Sequence, residues 1–337
     1  MGILRLVIVK YLRNRRIIKQ IAVFLKGGRY RNSVAYDCIY NNNAPSVLDG
    51  ISFSAKESNQ FVSNKLVSGI NRFFLYSVSD KDTKFFKGTE VLISSSLTEY
   101  KIFDFENNLV LTLYQSIDRM KQINNNKSLY KNCFNVPQTI VFNPELSYII
   151  EELVPHVPYS IVEAIESIGD SICKSLAYQK DCIYSDKKLF KKQCTFFSSR
   201  FGNSNLLNNK TGSIISLTHG DLWSSNVIFN GEKYFVIDFE RVGQRYFLFD
   251  FFTFIFTEWL LNENSLLVDK FFSGQFDNLL KKMFTSIRMD YYAAQKEEYF
   301  ISFLVVIAFE RWRHFKGVDD RINQFIDIYI PSYRHNV

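Results

Sequence analysis

The chain has 337 residues, 47% hydrophobic and 22% charged, enough apolar content for one large two-lobed domain or two ordinary ones and too much for a disordered protein. Its five cysteines, Cys38, Cys133, Cys173, Cys182 and Cys194, are odd in number, widely spaced and without a CxxC pair, which argues against a disulfide framework and a zinc site and fits a reducing cytoplasm. The net charge of +7 is unevenly placed, and the longest apolar run, Phe303 to Phe309, is far below the roughly 20 residues that cross a bilayer.

Residues 1–26 hold seven Lys or Arg and no acid. Wound as a helix, they place Ile3, Leu4, Leu6, Val7, Ile17, Ile18, Ile21, Ala22, Phe24 and Leu25 on one side and Arg5, Arg13, Arg15, Arg16 and Lys19 on the other, with Lys10 alone on the wrong face. Such a basic amphipathic helix either makes peripheral contact with an anionic membrane, on the inner face of the cytoplasmic membrane, or packs on the protein's own body. A signal peptide is disfavoured because charges interrupt the apolar stretch, and Leu6 stands where myristoylation of Gly2 requires Ser or Thr.

Residues 27–90 form an N-terminal extension in which "RFFLYSV" at 72–78 is the clear strand candidate. Residues 91–155 then read as a β-rich lobe. "TEVLISSS", "EYKIFDF" and "LVLTLY" form an antiparallel meander, the last two runs joined by a polar turn at Glu106-Asn107-Asn108. A helix fits 115–132, and "QTIVFNPELSYIIEELV" adds two strands around an Asn-Pro turn, for a five-stranded sheet. After a connector at Glu151 to Pro158, residues 156–337 become helical. Ile161, Ala164, Ile165, Ile168, Ile172 and Leu176 recur at helical spacing, and a further helix is expected over 298–315. Unlike lobes leave a natural ligand cleft between them. The 33 Phe and 19 Tyr read by default as core.

The helical half is interrupted by "SLTHGDLWSSNVIFNGEKYFVIDFE", Ser216 to Glu240. The turn "NGEK" between "VIF" and "YFVID" makes a hairpin that brings Asp221, Asn226 and Asp238 to one end. Mg²⁺ on nucleotide phosphates takes only one or two protein oxygens, which Asn226 and Asp238 can supply. Asp221 is then free to orient a substrate hydroxyl and accept its proton. Each residue alone reads as a solvated turn or a strand-ending acid; the combined spacing argues for phosphoryl transfer.

These residues resemble the aminoglycoside phosphotransferase and choline kinase group, small-molecule relatives of protein kinases. The group's signature is His-Gly-Asp or His-Asn-Asp, four residues, Asn, then Ile-Asp-Phe/Tyr-Glu. His219-Gly220-Asp221, Asn226 and Ile237-Asp238-Phe239-Glu240 match it position by position from about Thr218 to Trp259. The resemblance implies an α+β, two-lobed protein-kinase-like fold with a small antiparallel β-sheet N-lobe and a larger, mostly helical C-lobe. It implies ATP and Mg²⁺ as cofactors, Asp221 as catalytic base, and Asn226 and Asp238 as metal ligands. His219 and Asp250 become supporting residues, and backbone groups near Glu152 and Leu153 receive adenine.

Two departures stand out. The sheet lysine that contacts the α- and β-phosphates falls on Thr112, or on Lys101 if "YKIFDF" is the equivalent strand, and residues 115–132 hold no Glu to pair with it. "SSSLT" at 94–98 replaces a glycine-rich loop, with Ser95 able to contact phosphate through backbone N–H or hydroxyl. The basic helix, together with a motif similar to bacterial surface-glycan kinases, points to a sugar hydroxyl on a cell-surface polysaccharide or lipopolysaccharide as acceptor. Choline or ethanolamine kinase is the alternative suggested by Glu258-Trp259, and aminoglycoside kinase follows it. A catalytically inactive pseudokinase is the non-enzyme alternative. No nucleic-acid partner is expected, since the positive charge sits in one terminal helix. Oligomeric state and nucleotide preference are open at this level.

Overall fold

The structure, a computed structural model, describes residues 2–32, 38–41, 75–79, 86–94, 99–202, 211–311 and 318–330. They form two compact units, one of Met1–Asn124 with Pro137–Pro155, the other of Asn125–Val136 with His156–Val337.

The first unit opens with helix α1 (Gly2–Ile21). Its strands are β1 (Gly28–Asn32), β2 (Cys38–Asn41), β3 (Leu75–Val78), β4 (Glu90–Ile93), β5 (Glu99–Asp104), β6 (Leu109–Tyr114), β7 (Thr139–Asn143) and β8 (Tyr148–Glu152). All eight join one antiparallel sheet in the order β3-β1-β2-β4-β5-β6-β8-β7. The meander and the Asn-Pro hairpin stand where expected, but the five-stranded sheet is larger. Strands from the segment 27–90 extend it, so the boundaries drawn at 26 and 90 do not separate domains. Strand β3 lies within the strand expected at 72–78, whereas β1 and β2 escaped the sequence reading because they are five and four residues long; "GRYRN" carries one large apolar residue, Tyr30, whose hydroxyl donates to the carbonyls of Lys26 and Gly88 at 2.6 and 2.9 Å.

Ile17, Ile18 and Ile21 of α1 are buried and join Phe24, Leu25, Tyr30, Ile102 and Leu111 in one core on the sheet. Leu12, Arg15, Arg16 and Lys19 remain exposed. The second half of the helix therefore packs on the protein's own body, one of the two readings above. The faces assigned to Ile3, Leu4, Arg5, Leu6, Val7 and Lys10 lie outside the described side chains.

Helix α2 (Ile117–Tyr130) belongs to the first unit up to Asn124 and to the second from Asn125. The second unit continues with α3 (Ile161–Gln179), β9 (Tyr184–Ser185), α4 (Lys187–Phe201), β10 (Ile214–Thr218), β11 (Val227–Phe229), β12 (Tyr234–Val236) and β13 (Gly243–Tyr246). It ends with α5 (Phe249–Asn262), α6 (Leu266–Phe272), α7 (Asp277–Ser286), α8 (Lys296–Arg311) and α9 (Val318–Tyr329). Starts are set locally: Ser160 accepts from the Glu163 N–H at the head of α3, and Asp186 from the Leu189 N–H at the head of α4. In α5 every residue from Phe249 to Trp259 is buried, so this helix is the centre around which the others pack. Phe252, Phe256, Phe300, Phe303 and Phe325 interlock around it with centroids 4.6–6.5 Å apart. The α+β class and the pairing of a small antiparallel sheet unit with a larger helical unit follow the expected kinase-like plan.

Because Ile21 is fully buried, Ile21→Ala should cost about 2–4 kcal/mol, the range for truncating a core aliphatic side chain. Exposed Lys19→Ala should stay within about 0.5 kcal/mol. Urea unfolding of the two variants measures both; equal midpoints would show that α1 is not part of the core.

Candidate active site

Strand β10 runs between β9 and β13 and ends at Thr218, so the chain leaves the sheet at His219. The turn that follows is fixed from beneath. Both oxygens of buried Asp250, in the first turn of α5, accept backbone N–H groups, from His219 at 2.7 Å and Gly220 at 2.8 Å. Gly220 has φ +80°, and a Cβ there would lie 2.3 Å from the Arg241 carbonyl, so no other residue fits the middle of His-Gly-Asp. Arg245 of β13 packs on the same spot, donating to the Arg241 carbonyl and Thr218 Oγ1 and pairing with Glu310.

The His219 ring is fully buried. The Asp221 N–H donates to its Nδ1 at 3.3 Å, leaving the proton on Nε2, which donates to the Ile237 carbonyl at 3.1 Å. Burial holds this ring below its ordinary value of 6.5, although the carboxylates of Asp250, Asp238 and Asp221 pull the other way. Burial likewise pushes the Asp250 carboxyl up, against the His219 ring, the two N–H donors and Arg245.

Asn226 closes the turn at the entry to β11. Its Nδ2 donates to the Asp221 carbonyl at 2.8 Å, while the Ile237 N–H donates to the Asn226 carbonyl at 3.0 Å. Val227 pairs with Val236, so Asn226 and Asp238 flank the open end of the β11–β12 hairpin. Asp238 has φ +66° and ψ +68°, a left-handed conformation that a non-glycine residue adopts under constraint. From the connector, the Tyr159 hydroxyl donates to the Ser224 carbonyl at 3.0 Å and braces the same turn.

The structure thus brings together Asp221, Asn226, Asp238, His219 and Asp250, all in the second unit. Among the described residues no three His, Cys, Asp or Glu side chains form a metal-binding group. The fit is to an ion that needs two protein oxygens and completes its shell with phosphate and water, as Mg²⁺ does. Sequence reasoning missed Arg245, Tyr159 and Asn126, which act through the turn's backbone carbonyls and carry no motif.

Within the first unit, Lys101 of β5 lies directly across from Thr112 of β6, so their side chains leave the same face of the sheet. Glu99, two residues earlier and on that face, is buried and pairs with Arg119 of α2 at 2.6 Å. Strand and helix are joined by a charge pair, with the acid on the strand. The Leu153 N–H donates to the Asn108 carbonyl at 2.8 Å and the Glu152 N–H to the Gln138 carbonyl at 2.9 Å, so an incoming base finds both donors engaged. Ser95 lies outside the described residues; Ser94 and Glu99 close the base of its loop through N–H to carbonyl bonding at 3.2 Å. Glu258 and Trp259 are in the core, with Trp259 against Phe325 at 5.0 Å and the Arg321 guanidinium 5.8 Å from its ring centre.

Residues 207–281 match the phosphotransferase enzyme family, and this stretch contains the whole His219–Asp250 arrangement. No curated protein matches the chain. Among solved structures, the chain is similar to a macrolide 2'-phosphotransferase from Brachybacterium faecium, at 12% identity over 67% of this chain and 87% of that one, TM-score 0.41. It is also similar to a choline kinase from Streptococcus pneumoniae, at 11% identity over 72% and 92%, TM-score 0.40. An aminoglycoside phosphotransferase from Streptomyces rimosus shows 11% identity over 64% and 91%, TM-score 0.38.

A buried neutral His219 makes stability pH-dependent. The unfolded chain takes up a proton near pH 6.5 that the folded ring resists, so stability is present above that pH and falls as pH drops through it. Asp250, raised above 3.8, acts in the opposite sense, losing its contribution as pH rises. The urea midpoint should therefore fall between about pH 7.5 and about pH 5.5, and fall less in His219→Asn. Identical slopes in the two proteins would show that the ring takes up its proton equally in the folded and unfolded chain.

Proposed function

We propose that this chain is an ATP- and Mg²⁺-dependent phosphotransferase that acts on a hydroxyl group. One observation carries the reading: Asn226 ties its amide to the Asp221 backbone and sits with Asp238 at the open end of one hairpin, so one acid and two oxygen-bearing side chains converge on a single turn. Asn226 and Asp238 would hold the ion, which when bound neutralises charge on the transferring phosphoryl group. Asp221 orients the acceptor hydroxyl and takes its proton as the new bond forms. His219 and Asp250 fix the turn so that this carboxylate is held before the acceptor arrives. Lys101, on the strand beside Thr112, would supply a cation for nucleotide phosphates. Glu152 and Leu153 border the base through their remaining backbone groups.

For the acceptor we favour a sugar hydroxyl of a cell-surface polysaccharide or lipopolysaccharide, or its precursor. Burial of Glu258 and Trp259 beneath Arg321 supports this over a choline site, since a quaternary ammonium needs an open aromatic face without a competing guanidinium. Charge supports a membrane-bound acceptor. Residues 1–32 carry nine Lys or Arg and no acid, so the rest of the chain, with 32 basic and 34 acidic residues, is nearly neutral. With Ile17, Ile18 and Ile21 in the core, the contact with an anionic surface is made by Arg15, Arg16 and Lys19 without insertion of those residues.

Purified protein given labelled ATP, Mg²⁺ and separate glycan, choline and aminoglycoside pools should label the glycan pool. In that assay Asp221→Asn should keep nucleotide affinity and lower turnover at least about 10²-fold, Asp238→Ala should lose productive nucleotide binding, and Lys101→Ala should cost about tenfold. Wild-type turnover in Asp221→Asn defeats the base assignment; unchanged kinetics in Lys101→Ala would remove that residue from the site, and a wild type inert on every pool would favour the pseudokinase. Co-sedimentation with anionic vesicles should be complete at low salt and abolished near about 1 M, where the screening length is roughly 3 Å. Salt-resistant binding would mean that apolar insertion contributes.

A further inference from the structure

The run Asn124-Asn125-Asn126 inside α2 has no part in the phosphotransferase motif and is unfavourable for a helix. Asn126 has a use there. Its Nδ2 donates to the Phe239 carbonyl at 2.9 Å, across 113 residues of sequence. Four residues on, Tyr130 sets its ring against Phe239 at 5.7 Å and His219 at 6.4 Å.

Phe239 follows Asp238, and Ile237 precedes it. The carbonyl of each neighbour is therefore gripped by a side chain, Ile237 by His219 Nε2 and Phe239 by Asn126 Nδ2. Between the two grips Asp238 holds its left-handed backbone, which costs a non-glycine residue energy and which its side chain supports with no capping hydrogen bond. We propose that Asn126 is a positioning residue for Asp238, tethering the next residue, Phe239, through its carbonyl and so limiting movement of the chain that leaves Asp238, which holds the carboxylate at the open end of the hairpin beside Asn226. The proposal rests on Asp238 being a metal ligand. Without the amide, the left-handed residue relaxes and the two ligand oxygens separate.

The test titrates Mn²⁺ into protein saturated with ADP and follows free Mn²⁺ by electron paramagnetic resonance. Asn126→Leu keeps the volume and cannot donate; Asn126→Asp keeps size and polarity and sets an acceptor against the carbonyl. Asn126 is half-buried, so either replacement leaves the buried face of α2 intact. Both should weaken Mn²⁺ binding about fivefold to tenfold, the scale of one lost hydrogen bond, while metal-free ADP affinity and the acceptor KM stay unchanged. Saturating metal should restore most of kcat, which a general loss of structure would not allow. If both variants bind Mn²⁺ as wild type does while Asp238→Ala has lost it, the positioning role is wrong and the metal reading stands. If Asp238→Ala itself binds Mn²⁺ normally, the metal reading falls and this inference with it. An equal loss of metal-free ADP binding in Asn126→Leu and Asn126→Asp also overturns it.

Discussion

The buried carboxylate of Asp250 is the constraint on which the site depends. It sits in the first turn of a helix with no exposed face up to Trp259, where a lone carboxylate would be strongly disfavoured. Two backbone N–H groups and the positive end of its own helix offset that cost. The same two bonds leave His219 and Gly220 no freedom, which forces a glycine at 220, buries the His219 ring and turns Asp221 outward from the sheet end. Removing the carboxylate would orphan two buried donors as well as free the turn.

From that anchor the site is assembled through backbone carbonyls. His219 holds Ile237, Asn226 holds Asp221, Tyr159 holds Ser224 and Arg245 holds Arg241. Asp221 and Asn226 are thus held in place by residues that bond to the chain around them rather than by one another alone.

The sheet unit solves a different problem. An antiparallel pair presents cross-strand neighbours on one face, and Lys101 opposite Thr112 is such a pair. A charge pair joins strand and helix, Glu99 on the strand and Arg119 on α2. A buried acid with an arginine partner keeps the helix fixed to the sheet whichever side carries which sign.

Much was legible in the sequence where one local rule decided the outcome. The hairpin around "NGEK", the helix from Ile161 and the meander from Glu90 follow from turn residues and from apolar spacing, and the Asp221, Asn226 and Asp238 cluster follows from the hairpin, because residues flanking two paired strands must meet. What tertiary structure alone decided lies where many positions share one outcome. Strands such as "GRYRN" exist because their neighbours pair with them, and the basic helix could not declare which surface its isoleucines meet until the sheet they cover was in place. Glu258-Trp259 can suggest a choline kinase segment in the sequence, but Trp259 is core once Phe325 closes on it. Asn126, Tyr159 and Arg245 bond to carbonyls, which every residue carries, so only folding could say which carbonyl each would reach.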